Sequence, residues 1–134
     1  AIMRDAPLTP SESMEWADIS VLVSKVYHMD TEDWEFRKHL GSRTKRFTHP
    51  RAIMCYIATH ELGLGWKTGR VRVAITYRFD VPNQNTIHTS VRTCKTVLSG
   101  KSAERWAMLE VLRNYCEIRG VDLDIMLPQT TLNK

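Results

Sequence analysis

Arg70-Val71-Arg72-Val73-Ala74-Ile75-Thr76-Tyr77-Arg78-Phe79 decides the fold class. Val71, Val73, Ile75, Tyr77 and Phe79 alternate with Arg70, Arg72, Ala74, Thr76 and Arg78. That is the period-two pattern of a half-buried strand, in residues of high β-propensity. Yet Val71, Ala74, Ile75, Arg78 and Phe79 also fit one face of a helix. Read alone, the segment is a strand. Everything around it reads as helix, and a lone strand would have no partner for its backbone ladder.

The next stretch is Asp80-Val81-Pro82-Asn83-Gln84-Asn85-Thr86-Ile87-His88-Thr89-Ser90-Val91-Arg92. Pro82 ends the preceding element, because its ring disfavours a helical residue before it. Asn83 can cap a helix through its side chain. Ile87, Val91 and Cys94 then share a face, with Arg92 and Lys95 beside it, and Ser99-Gly100 stops the helix near Leu98. A first turn rich in amides, with cations further along, suits the major groove of DNA. Amides read adenine edges, and cations and helix N-terminal amides hold phosphates. The competing reading is an ordinary capped helix with a solvated first turn.

Upstream, Thr9-Pro10-Ser11-Glu12 reads as a capping box with proline at the first helical position. The helix it opens should reach about Tyr27, with Ile19, Leu22, Val23, Val26 and Tyr27 at helical spacing. Met14 and Trp16 either extend that face or fold back on it, and residues 1–8 read as a loose arm. Asp30 can cap a short helix over Thr31–His39, ended by Gly41. Gly41-Ser42-Arg43-Thr44-Lys45-Arg46-Phe47-Thr48 then forms a basic loop, and no acid occurs between Phe36 and His60. Such loops insert arginine into a narrow minor groove or grip phosphates. Thr48 is the expected cap of a third helix running through Pro50 to about Leu62, apolar over much of its circumference and so expected to be central. Gly63 to Gly69 reads as a connector, with Trp66 capping the core in preference to offering a platform for base stacking. Ser102 is the expected cap of the last helix, with Trp106, Leu109, Leu112, Arg113 and Cys116 along one side and Gly120 as its stop. Residues 121–134 read as an acidic-apolar turn and a loose tail.

At 134 residues, 43% of them hydrophobic, the chain suits one packed domain. No run of about 18 apolar residues suggests a membrane span, and no basic start with an apolar stretch suggests a secretory signal. Cys55, Cys94 and Cys116 are odd in number, far apart and set among apolar neighbours, which points to reduced, buried thiols in a cytoplasmic protein. The net charge of +4 conceals an asymmetry: −6 over residues 1–35, +11 over 36–101 and −1 over 102–134. Concentrated positive charge is the footprint of nucleic-acid binding, and a solubilising basic face is the plainer alternative. Nucleotide-loop and metal spacings are missing. His60-Glu61 has no second histidine at zinc spacing, and Gly100-Lys101-Ser102 lacks the first glycine of a phosphate loop. No close Cys–His pair or paired carboxylates suggest an enzyme, so no catalytic residue, metal or cofactor is expected.

The middle of the chain resembles the C-terminal DNA-binding domain of the bacterial replication initiator DnaA (domain IV), an all-helical, Trp-repressor-like fold with a helix-turn-helix. Arg43-Thr44-Lys45-Arg46 and Pro50-Arg51-Ala52-Ile53-Met54-Cys55-Tyr56-Ile57 resemble that family's basic loop and its Pro-Arg-Gln-Ile-Ala-Met-Tyr-Leu helix. Ile75 and Phe79 sit where the family has its Ile-Gly-x-x-Phe helix. Pro82 to Arg92 resembles the Arg-Asp-His-Thr-Thr-Val-x-His-Ala-x-Arg signature. The resemblance covers roughly residues 18–98 and implies that Val71–Phe79 is a helix, the first of the helix-turn-helix pair. The connector Gly63–Gly69 is longer than the family's. Asn83-Gln84-Asn85 replaces the family's base-reading Asp-His-Thr, so the docking mode carries over and the target sequence does not.

The expectation is therefore an all-α, single compact domain of about six helices: an N-terminal arm and helix start (1–17), a DnaA-like core (18–98) and a C-terminal helix and tail packed on it (99–134). Its partner would be double-stranded DNA, in transcriptional or replication control in a bacterium or phage, at the nucleoid. The resemblance and the residue types together assign Asn83, Gln84 and Asn85 to base reading, and Arg43 to the minor groove. They assign Lys45, Arg46, Arg51, Thr86, Arg92 and Lys95 to phosphates. The other expectation is a protein-interaction module, with the acidic helix Thr9–Tyr27 as surface for a protein partner or for self-association.

Overall fold

The computed structural model describes residues 7–30, 45–76 and 84–128. These form six helices and, among the described residues, no strand. They are α1 (Pro10–Tyr27), α2 (Lys45–Thr59), α3 (Thr68–Thr76), α4 (Gln84–Ser99), α5 (Arg105–Arg119) and the single-turn α6 (Leu123–Met126).

α1 begins and ends where its local chemistry requires. The Thr9 N–H donates to Glu12 Oε1 at 2.9 Å and the Glu12 N–H donates to Thr9 Oγ1 at 3.1 Å, completing the capping box. His28 closes the helix in the left-handed region (φ 56°), and the Met29 N–H bonds back to the Ser24 carbonyl at 3.0 Å. Trp16, Ile19 and Val23 are buried, while Met14 faces solvent. The residues just before α1 are not loose. Leu8 packs on the core, and the Pro7 carbonyl accepts from the Arg70 guanidinium at 3.3 Å. The same guanidinium reaches Glu12 Oε1 at 2.6 Å, tying the start of α1 to α3.

α2 is the central helix. Every residue from Ala52 to Ala58 is buried, and α2 packs against α1, α3, α4 and α5. It starts earlier than expected. Thr48 lies inside it, not at its cap, Pro50 is internal, and Lys45 and Arg46 belong to its first turn and not to a loop. It also stops at Thr59, short of Leu62. The connector folds back there, with Gly63 N–H to His60 O (2.9 Å), Leu64 N–H to Ile57 O (3.1 Å) and Trp66 N–H to Ala58 O (2.8 Å). A Cβ on Gly63 would sit 2.0 Å from the Ile57 carbonyl oxygen, so this return needs glycine. Trp66 stacks on Trp16 (centroids 5.9 Å apart, planes at 10°) and so caps the core.

The ambiguous segment is helical as far as Thr76. Val71 and Ala74 are buried and Ile75 partly so, the helical face and not the alternating one. A helix pairs its own backbone groups, whereas a strand here would have had no neighbour. α3 packs on α4 and both pack on α2. In α4, Ile87, Cys94 and Leu98 are buried and Val91 leans on the core.

α5 starts at Arg105 with Glu104 at its cap position, two residues later than a Ser102 cap would give. Ser102 instead opens a turn, its carbonyl accepting the Arg105 N–H at 3.1 Å. The buried face is Met108, Leu109, Val111, Leu112, Tyr115 and Cys116. Trp106, expected on that side, is 62% exposed. Gly120 ends the helix at φ 69° as expected. Glu15 lies near Tyr115 and Tyr27 near Glu104, so α1 and α5 run antiparallel. The acidic-apolar turn expected after Gly120 is a single helical turn packed on the core. Asp122 caps α6, Met126 is fully buried, and the Tyr56 hydroxyl donates to the Met126 carbonyl. The expected short helix Thr31–His39 lies outside the described residues, as do residues 1–6 and 129–134.

Candidate nucleic-acid interface

α4 carries the candidate surface. Its buried stripe leaves a wet face at helical spacing: His88, Thr89, Arg92, Lys95, Thr96 and Ser99 are exposed. No acid occurs anywhere in α4, so its positive groups have no carboxylate neighbour on their own helix. The helix is about 24 Å long at 1.5 Å per residue, and its first turn is formed by Gln84, Asn85 and Thr86. α3 braces one side and α2 lies behind.

Of the sequence-derived candidates, Arg92 and Lys95 lie on this exposed face. Gln84, Asn85 and Thr86 stand at its N-terminal end. Lys45 and Arg46 open α2, the helix that α4 packs against most extensively. Arg51 is partly buried, and burial lowers its pKa, partly offset by the nearby Cys55 thiol. Arg43 and Asn83 lie outside the described residues.

Four positions on the face were not among the site residues expected from sequence: His88, Thr89, Thr96 and Ser99. The signal was present, since His88, Arg92 and Thr96 recur every four residues opposite Ile87, Val91, Cys94 and Leu98.

Two groups beneath the face are tuned by burial. The Cys55 thiol, beside Ser90 and Arg51, is pushed up to about 12 because its anion would be buried. Cys55, Cys94 and Cys116 are all free and buried. At the end of α2, His60 Nδ1 accepts the Leu62 N–H at 3.0 Å. Its ring lies 5.4 Å from that of Tyr56. Burial lowers the His60 pKa, Glu61 raises it and the Lys95 ammonium lowers it, so His60 marks where α2 approaches the charged face of α4. Among the described residues, no group of three or more His, Cys, Asp or Glu side chains could hold a metal ion. No described helix is long and apolar enough to cross a membrane.

Compared with known proteins, the chain matches no family model, no curated protein and no solved structure.

Proposed function

We propose that the protein binds double-stranded DNA through α3 and α4 acting as a helix-turn-helix, and regulates transcription or replication by occupying sites. The observation that carries this is the exposed face of α4, which bears Arg92 and Lys95 and no acid. It is backed by a helix pair in which α3 packs on α4. In this reading the α4 N-terminus enters the major groove, where Gln84 and Asn85, with Asn83, read base edges. Arg43 reaches the minor groove, and Lys45, Arg46, Arg51, Thr86, Arg92 and Lys95 hold phosphates. DnaA domain IV is the family whose residues this arrangement resembles, and the different residues at positions 83–85 call for a different target.

The test is selection of bound duplexes from a random pool at about physiological salt. Gln84→Ala should relax the enriched motif, and Arg92→Ala should weaken all sequences alike. With six to eight phosphates neutralised, affinity should follow salt with a log–log slope of roughly −5 to −7. A slope near zero rules the reading out.

One observation favours a second reading, a protein-interaction surface on α1. Met14 and Val21 are 66% and 61% exposed on the helix that also shows Glu15 and Asp18 to solvent. If Met14→Glu and Val21→Glu leave DNA binding intact but abolish association with a partner or a second copy, α1 is that surface.

A further inference from the structure

Where α4 gives way to α5, the chain forms an open cleft of about 520 Å³. Trp106, Arg105, Lys101, Ser99 and Ser102 line it, and none of its lining residues is acidic. The duplex reading uses none of these groups. They lie at the C-terminal end of α4, some 24 Å along the helix from the first turn at 1.5 Å per residue.

Three properties give the cleft a chemistry. Trp106 is 62% exposed, an unusual place for the largest apolar side chain, and its ring offers a wide π-surface to solvent. Arg105 is held in position: its Nε donates to the Leu98 carbonyl at 2.9 Å, and its guanidinium lies over one face of the Trp106 ring, 5.8 Å from the ring centre. Lys101 is exposed at the rim, flanked by the hydroxyls of Ser99 and Ser102. An aromatic plane beside two cations and two hydroxyls matches a flat heterocycle carrying a phosphate. A base pair inside a duplex cannot present its face in this way, because that face is already stacked.

We propose that this cleft binds an unpaired nucleotide, its base stacked on Trp106 and its phosphate held by Lys101 and Arg105. The size agrees, since ligand clefts run from about 300 to 1,000 Å³. The basic face of α4 leads into it: Lys95, Thr96 and Ser99 are exposed between Arg92 and Lys101, with no acid on the way. A single strand could therefore follow α4 and place one base in the cleft, the pairing of cationic track and aromatic platform that single-strand binders use. A free nucleotide would satisfy the same groups. The proposal stands on Trp106 and its neighbours and is independent of whether α4 reads duplex DNA.

The experiment is fluorescence anisotropy of the full chain with a labelled octathymidylate, alongside a labelled duplex. Trp106→Ala should weaken octamer binding roughly tenfold or more, from the stacking contribution of one base, and leave duplex binding unchanged. Trp106→Phe should keep part of the affinity, because a smaller ring still stacks. Lys101→Ala should reduce the log–log salt slope on the octamer by about 0.7. Competition by dTMP assigns the cleft to free nucleotides, and failure to compete assigns it to a strand. The proposal is overturned if the octamer does not bind, or if Trp106→Ala binds it as the parent does. Octamer binding that depends on Trp106, without duplex binding, would sink the duplex reading and leave this one standing. Duplex binding without octamer binding would do the reverse.

Discussion

Arg70 does more for the fold than its place in an alternating run suggests. It joins the Pro7 carbonyl and the Glu12 carboxylate, and so clamps the start of α1 onto α3. The Glu12 pKa is held below its ordinary value, first by the Thr9 backbone N–H and then by Arg70. A lowered carboxylate pKa stabilises the fold above the unfolded value, near 4.5, and that stabilisation is lost as pH falls through the folded value. Glu12→Gln should flatten the acid limb of the stability curve followed by circular dichroism. His60 has the same sign by a different route. Its folded pKa lies below its ordinary 6.5, so its contribution is full above 6.5 and declines as the medium acidifies below it. Protonation would also remove the acceptor at Nδ1 that holds the Leu62 N–H. The loss of stability on acidification from pH 7.5 toward 5.5 should be smaller in His60→Gln than in the parent. At Tyr56, loss of the hydroxyl would leave the Met126 carbonyl without its donor in a buried setting. Tyr56→Phe should therefore cost about 1–3 kcal/mol in urea titrations.

Among the elements, what could be read in advance was what depends on a few neighbouring residues. The Thr9–Glu12 box, the glycine stop at Gly120 and the apolar stripe of α4 are local, and each stands where its residues require. The segment 70–79 was opaque because its alternation is sound strand grammar. Helix prevails because Val71 and Ala74 can both be buried only at a spacing of three, and because no second strand is present among the described residues. Pro50 misled in another way. Proline favours a helix start, yet α2 runs back to Lys45 with Pro50 inside it. α6 was invisible because four residues nucleate no helix alone; its turn exists through Met126, which fills space against α2 and α5. Met126→Ala should cost about 2–5 kcal/mol, whereas Ile125→Ala, one residue away and 57% exposed, should cost little. At the candidate interface, Arg92 and Lys95 were legible from their phase relative to Ile87 and Cys94, but the cleft at Trp106 was not. Helical phase alone had put that tryptophan on the inner side of α5. In the α2–α3 connector, Gly63→Ala must displace the Ile57 carbonyl or the turn itself. A loss of about 1–3 kcal/mol is expected by thermal melting.

For the whole molecule, the charge division of the sequence becomes a division by helix. The exposed acids Glu15 and Asp18 sit on α1, and the acid-free face sits on α4. If α4 holds DNA, neutralising Arg92 should lower the salt slope by about 0.9, while Asp18→Asn should leave the slope unchanged. α1 is also the helix that must wait. Trp16, Ile19 and Val23 are covered largely by α2, α5 and the Trp66 connector. The antiparallel partner α5 begins at Arg105, about ninety residues further along the chain than Trp16. At roughly 5–20 residues per second, a ribosome would carry that amphipathic helix for several seconds with its oily side only partly covered, by α2 and the Trp66 connector, before α5 emerged. Of the six described helices, the one made earliest is then among the last to have its apolar side fully sheltered.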